Sequence, residues 1–461
     1  MSTEPPDDLY NHLAEAQHLL DQSFACLPAN PVAPPGAAAA AILNEVAIKL
    51  HDNYPYAHPL YAGQMLKPPH PIARAAYALA MSVNPNNHAL DGGRASSAME
   101  IEAVAALATM FDWPQHLGHL SSGGTFANLE ALWIAGQLAP GKSIAASDQA
   151  HYTHSRIGAV LGLPFTKIPS DNVGRIDLEA LEDLLQTQNI GTVVVTLGTT
   201  ATGAVDPLDQ ILKLQQRHKF RIHVDAAYGG YFTLAGNLSP QSRAAFDAIS
   251  QADSVVIDPH KHGLQPYGCG CILFRDPAVG RFYKHDSPYT YFTSKDLHLG
   301  EISLECSRPG ASAVALWATQ QLLPYIRGGV FAQNLESSRK AALELHRRLT
   351  ASPHFIAPSF PPELDIVFWT ANASTPEASS ALAQKIFDEA ARQGLHLALA
   401  DLPARFFPPE TWTQAQQTRN VTCLRSVLMK PEHLLWIDRI WQRLEAAVST
   451  LMPVNTSLEP S

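Results

Sequence analysis

Two short segments hold the residue types with the most chemistry in them. His223-Val-Asp-Ala-Ala-Tyr-Gly-Gly230 sets Asp225 at the end of a β-forming run, Phe220-Arg-Ile-His-Val224. Asp258-Pro-His-Lys-His-Gly263 sets Lys261 just beyond a second run, Ser254-Val-Val-Ile257. A carboxylate at one strand end and a His-Lys pair at another suit a cofactor that needs an acid at one edge and an amine at the other. Pyridoxal phosphate has those needs: its aldehyde takes a lysine as a Schiff base, and its pyridinium nitrogen takes an acidic partner that keeps the ring protonated. Either half alone has an ordinary explanation, a helix-capping aspartate or a solvated lysine. The pair in this order points to the cofactor.

Other segments add to that chemistry. Ser121-Ser-Gly-Gly-Thr-Phe-Ala-Asn-Leu129 sets Ser, Gly and Thr at the mouth of an apolar helix, where free amides and hydroxyls form an anion site. The same residues cap ordinary helices, but beside Lys261 the segment reads as a phosphate cradle. His151, in Asp148-Gln-Ala-His-Tyr-Thr-His-Ser155, follows the Ser143 strand, where an imidazole can stack on a planar ring. His154, three residues on, competes for that role on the same helical face, and His151 is preferred. No third ligand accompanies the two histidines, so no metal site is expected. Thr200, in Leu197-Gly-Thr-Thr-Ala-Thr-Gly203, either reaches the ring oxygen or simply forms a turn.

An α/β succession must position these residues. The expected strands are Ser143–Ala146, Thr192–Leu197, Arg221–Val224, Ser254–Ile257 and Cys271–Phe274, with helices such as Met99–Phe111 and Phe126–Gln137 among them. Such alternation argues for a mostly parallel sheet covered on both faces, with ligands bound at loops beyond the strand ends. Before it, Asp8–Cys26 and Ala37–Leu50 read as two helices around a Pro-rich link, an arm (1–75) expected to pack on a partner subunit. The large domain is expected over 76–320 and a smaller α+β domain over 321–461. A helical region from Ala311 to Leu349 should break at Pro324 and Gly328-Gly329. The small domain follows as Glu363–Trp369, Pro376–Gly394, Leu395–Leu399, a strand Thr422–Leu428 and a helix Pro431–Leu451.

Composition narrows the class. The 461 residues are 46% hydrophobic and only 16% charged, which suits a large buried core and self-association. A net charge of −10 without any Lys/Arg-rich run argues against nucleic-acid or polybasic membrane partners. No apolar run approaches a membrane span and the N-terminus lacks the marks of a secretory signal, so a cytoplasmic location is expected. Five cysteines form no paired framework, and Cys269 and Cys271, on one face of a strand, read as small core residues.

Taken in order, Asn84-Pro-Asn-Asn through Glu102, Ser121 to Asn128, His151-Tyr-Thr-His-Ser155, Leu197-Gly-Thr-Thr200, His223 to Tyr228 and Asp258-Pro-His-Lys261 resemble the group II amino-acid decarboxylases of pyridoxal-phosphate fold type I. The match runs over residues 55 to 320. Ser307-Arg-Pro-Gly-Ala311 is similar to the archaeal-type tyrosine/aspartate decarboxylases and the related sphingosine-phosphate lyases. The resemblance implies the fold type I transferase architecture: a mostly parallel, seven-stranded-type α/β domain, a smaller α+β C-terminal domain and a helical N-terminal arm. It also implies a homodimer with its site at the subunit interface.

By position, the resemblance makes Lys261 the Schiff-base lysine, Asp225 the pyridinium partner and His151 the stacking histidine. Gly123, Gly124 and Thr125 would hold the phosphate with His260 assisting, Ala227 would pack under the ring, and Thr200 would contact the cofactor. Tyr289 and Tyr291 fall where the family carries a loop tyrosine that returns a proton to Cα; relatives that make aldehydes lack it, so plain decarboxylation is favoured. His58, Tyr61 and Gln64 match a segment lining the substrate pocket, and Arg425 is a candidate for the substrate carboxylate. The chain departs from many animal members at Asp258, where they have Asn, and a carboxylate there would repel a phosphate. The expected activity is removal of CO2 from an aromatic or acidic L-amino acid to give an amine. The alternatives are a carbon–carbon lyase acting at Cα–Cβ and a catalytically silent scaffold.

Overall fold

The computed structural model describes residues 9–28, 36, 38–88, 91–284 and 302–451. Tyr289 and Tyr291 lie outside the described residues. Seven strands make the larger sheet: β1 (Leu117–Ser121), β2 (Ser143–Ser147), β3 (Phe165–Ile168), β4 (Ile190–Thr196), β5 (Arg221–Asp225), β6 (Ser254–Ile257) and β7 (Gly270–Phe274). Their spatial order is β1-β7-β6-β5-β4-β2-β3. Only β7 runs against its neighbours β1 and β6; the other pairings are parallel.

Burial explains the composition of the central strands. Every residue of β4 and β6 is buried, and both are runs of Val, Ile and small residues, as a strand covered on both faces requires. The helices Gly124–Leu138, Thr153–Leu161, Leu178–Thr187 and Leu208–His218 lie between the parallel strands in sequence. β1 and β3 were not expected. β1 is Leu-Gly-His-Leu-Ser, and its Gly118 is needed because a Cβ would sit 2.7 Å from the Ile272 carbonyl oxygen of β7. β3 is a four-residue edge strand with little apolar signal. Of the two cysteines expected on one strand face, Cys269 stands just before β7 and Cys271 within it; both are buried.

A second, four-stranded antiparallel sheet holds β8 (Phe355–Ile356), β9 (Ile366–Ala371), β10 (Ala398–Pro403) and β11 (Asn420–Val427), in the order β10-β11-β9-β8. Trp369 is fully buried there in one cluster with Leu345, Ile386 and Ile440, which come from the helices Val330–Ala351, Pro376–Arg392 and His433–Leu451. The helical region before it ends at Leu322 and resumes at Val330, across the expected Pro324 and Gly328-Gly329 break. β10 starts three residues later than expected. His396 instead pairs with the incoming N-terminal chain: its carbonyl accepts from the Ala62 amide and its amide donates to the Leu60 carbonyl.

Two features fix the carboxyl ends of β4 and β5. Gly198 adopts φ 101°, and a Cβ on Gly229 would come 2.1 Å from the Leu197 carbonyl oxygen, so the two turns can cross only as glycines. Flanking the 285–301 segment, the Tyr283 hydroxyl and the Leu304 amide both donate to Glu130 on the helix Gly124–Leu138. The N-terminal helices are Leu9–Gln22, shorter than expected, and Ala38–Leu50; neither buries a residue.

Candidate active site

The carboxyl ends of β4, β5 and β6 and the start of the helix Gly124–Leu138 enclose a cavity of about 590 Å3. Gly123, Gly124, Thr125, His151, Thr200, Asp225, Ala227, His260 and Lys261 all line it. That volume suits a cofactor with a small substrate. The sheet thus gathers residues spread over almost 140 positions of sequence into one wall-to-wall site.

Asp225 ends β5 and is 6% exposed. Its Oδ2 accepts from His154 Nε2 at 2.8 Å, and its Oδ1 accepts from the Ala227 amide at 3.1 Å. Burial alone would raise its pKa, but the hydrogen bond and charge of His154, the charge of Lys261 and the Ala227 amide together hold it well below the ordinary carboxylate range. His154 therefore serves the carboxylate from the first turn of its helix, while His151, just before that turn, faces the cavity. The His154 Nε2–H donates to Asp225, and its Nδ1 is buried without a partner. Burial lowers the His151 pKa and favours a neutral ring; its Nδ1 lies 2.5 Å from the Thr153 hydroxyl.

The opposite end is built on a helix terminus. Gly123 precedes the helix Gly124–Leu138 at φ 153°, and no side chain caps its first amides. Lys261 Nζ lies 3.0 Å from Asp258 Oδ2, and His260 Nε2 lies 3.6 Å from the same oxygen. The His260 Nδ1 is 2.8 Å from the Cys269 carbonyl oxygen, which fixes the ring.

Four residues expected at the substrate do not line this cavity. Arg425 is 4% exposed and does not line the cavity; its Nε and Nη2 donate to the Ala201 and Thr200 carbonyls at 3.0 and 2.5 Å. It holds the Thr200 turn in place from β11. His58 packs edge-on against Trp436 at 4.8 Å and lines a separate groove with Arg439 and Arg443. Tyr61 is buried against Lys430, whose ammonium donates to the Tyr61 carbonyl at 2.7 Å, and Gln64 is exposed. The N-terminal chain pairs with His396, and its Met65 carbonyl accepts from the hydroxyl of Tyr267, a residue of the cavity wall.

One cluster was not anticipated. The Tyr228 hydroxyl donates to Asp365 Oδ1 at 2.5 Å, and His262 Nε2 lies 3.3 Å from Asp365 Oδ2. Tyr228 is three residues past Asp225, His262 directly follows Lys261, and Asp365 immediately precedes β9. The Tyr228 turn is thus hydrogen-bonded to a buried carboxylate just before β9, and His262, beside Lys261, packs near the same group without a hydrogen bond. Tyr228 and His262 stood beside recognised residues; nothing in the sequence marks Asp365, more than a hundred positions away, as their partner.

A seven-stranded α/β sheet with a buried acid and an amine at neighbouring strand ends defines the class, a pyridoxal-phosphate enzyme. Residues 137–369 match the family described as "Pyridoxal-dependent decarboxylase conserved domain". The chain is 28% identical to the L-tyrosine decarboxylase of Enterococcus faecium, over 80% of this chain and 81% of that protein. It is 30% identical to a probable L-tyrosine/L-aspartate decarboxylase of Methanothermobacter thermautotrophicus, over 56% of this chain and 69% of that one. Oryza sativa TDC, solved with PLP and tryptamine, shares the fold at TM-score 0.77 and 17% identity, over 98% of this chain and 100% of that one. Mouse CSAD shares it at TM-score 0.76 and 22% identity, over 97% and 92%. The chain belongs to the pyridoxal-dependent decarboxylases: with pyridoxal phosphate it removes CO2 from an amino acid.

The Asp365 cluster makes a pH prediction. Burial raises the Asp365 pKa to about 6, against the Tyr228 hydrogen bond and the charges of Lys67 and Arg425; neighbouring His262 is itself pushed well down by burial. A carboxyl raised in the fold gives stability that is complete below the unfolded pKa and is lost as pH rises through the folded one. Chemical denaturation between pH 4 and 7 should therefore show Asp365→Asn gaining on the wild type by up to about 3 kcal/mol. A difference that does not change with pH would contradict this.

Proposed function

We propose that Asp225 and Lys261 take opposite ends of pyridoxal phosphate and that the substrate is an aromatic L-amino acid, L-tyrosine first. The observation that carries this reading is that the two side chains open into one cavity from neighbouring strand ends. The residues present fit the cofactor: an amine, a buried ionised acid, a neutral imidazole and an uncapped helix terminus around a sufficient volume. When bound, pyridoxal phosphate accepts the electron pair left at Cα as CO2 departs. Asp225, kept charged by its hydrogen bond from His154, would hold the proton on the ring nitrogen. His151 would offer an uncharged imidazole to the ring, and Ala227 a small side chain. Gly123, Gly124 and Thr125, at the helix start, would hold the phosphate with His260. Thr200, its turn held by Arg425, would contact the cofactor. Tyr289 and Tyr291 remain the candidates for returning a proton to Cα.

The aromatic preference rests on Phe126, Tyr152, Tyr228 and Tyr267 among the lining residues, and on the absence of arginine among the described ones. An acidic side chain would need a cation besides Lys261, which the cofactor takes up, and the described walls hold no second lysine and no arginine. Relatives named for tyrosine support the same choice. Nothing in the comparisons supports the carbon–carbon lyase or the silent scaffold. Amine and CO2 release should be measured over aromatic and acidic L-amino acids, with Lys261→Ala as control. The expected result is turnover of aromatic substrates, falling by at least about a thousandfold in the variant. Preference for aspartate or glutamate would refute the substrate assignment.

The same reading divides the chain into an arm (1–75), a large domain (76–320) and a small domain (321–461), and makes the enzyme a homodimer. Ile42, Leu43, Ile48 and Leu50 of one arm helix are 59–66% exposed, as is Leu19 at 70% on the other, and a second copy would cover them. All five cysteines are free and no described helix is long and apolar enough to cross a membrane; a reducing cytoplasm fits the first of these facts. Light scattering should give twice the chain mass, reverting to one chain mass in Ile42→Asp/Leu43→Asp. A monomeric wild type at micromolar concentration would overturn the dimer.

A further inference from the structure

Asp258 is the residue of the cavity whose charge fits it least. It follows β6, and its side chain is 3% exposed. One oxygen, Oδ2, meets Lys261 Nζ at 3.0 Å and His260 Nε2 at 3.6 Å. The other, Oδ1, is buried without a hydrogen-bond partner. The carboxylate presses against the first turn of the helix Gly124–Leu138: a Cβ on Gly124 would come 2.7 Å from Oδ2 and 3.0 Å from Oδ1. A helix N-terminus welcomes negative charge, so this aspartate already sits at the end of the cavity where an anion would bind.

We propose that Asp258 is the resting counter-ion of Lys261 and that it thereby loosens the enzyme's hold on pyridoxal phosphate. Two physical effects act in the same direction. Pairing with a buried carboxylate stabilises the charged lysine. To take up an aldehyde, that lysine must shed a proton to solvent, add its nitrogen to the carbonyl carbon and expel the oxygen as water, so the pair opposes attachment. The carboxylate also sets a like charge beside the incoming phosphate. With His260 anchored on the Cys269 carbonyl and Lys261 one turn from Asp258, the arrangement holds the amine at the cavity while it is free. Asp258 is in these terms a positioning residue that tunes cofactor exchange.

The inference rests on Lys261 as the attachment lysine, and a cofactor bound covalently at another lysine would fail that reading separately. The test is titration of the apoprotein with pyridoxal 5′-phosphate and, in parallel, with pyridoxal, followed by absorbance. Asp258→Asn keeps the side-chain shape and removes the charge. The expected result is a Kd lower by on the order of tenfold for pyridoxal phosphate, with a gain also for pyridoxal, which lacks the phosphate. An unchanged or higher Kd would mean that Asp258 is a structural or phosphate-holding residue and would overturn the proposal. A gain confined to the phosphorylated form would overturn the lysine pairing. Near-UV circular dichroism checks the fold, and Asp258→Ser is read in the same way if the asparagine variant does not fold.

Discussion

A carboxylate buried at the end of a strand stays charged only if its surroundings replace the water it has lost. Much of this molecule's cavity follows from meeting that condition at Asp225. One oxygen takes the Ala227 amide of the turn that leaves β5, and the other takes His154 from a helix entering beside β2. The helix must therefore begin where it does, which leaves His151 two residues before its first residue, Thr153, and facing the cavity. Behind the pair, His223 on β5 is held near Asn128 and Ser254, each at 2.8 Å, and burial lowers its pKa to about 3. An uncharged imidazole at that depth leaves the negative charge of Asp225 directed at the cavity.

The second sheet completes the site without lining it. Asp365 accepts from Tyr228 in the turn after Asp225, and lies 3.3 Å from His262, next to Lys261, without a hydrogen bond. Arg425 crosses the same boundary to hold the carbonyls of Thr200 and Ala201. Two loops that share no edge with the second sheet, those of Tyr228 and Thr200, are thus held to it by buried hydrogen bonds. Such contacts are costly unless satisfied, and they couple cavity shape to how the two sheets pack.

Five of the seven strands of the large sheet were legible, including β2, which is Ser-Ile-Ala-Ala-Ser rather than a Val/Ile run. β4, β5 and β6 show themselves by β-branched residues and β7 by an apolar run, whereas β1 has a glycine and a histidine in five positions and β3 has only four residues. Asp225, Lys261 and the Ser121–Thr125 segment could be read because each joins a strand end or helix start to an unusual side chain. His154 was ranked below His151 because sequence spacing cannot say which of two histidines on one turn faces a strand 70 residues later. Arg425 and His58 were placed at the substrate by resemblance, but an arginine's carbonyl partners 224 and 225 residues away leave no local trace. Asp365 was invisible for the same reason.

The central claim is that Asp225 and Lys261 address one cofactor, with Lys261 as its point of attachment. Reduction of the holoenzyme with borohydride, followed by proteolysis and mass spectrometry, tests it most directly. The account predicts a single pyridoxyl label on the peptide that carries Lys261, Asp258-Pro-His-Lys-His-Gly263. A label on Lys67, Lys430 or any other lysine, with Lys261 unmodified, would contradict it.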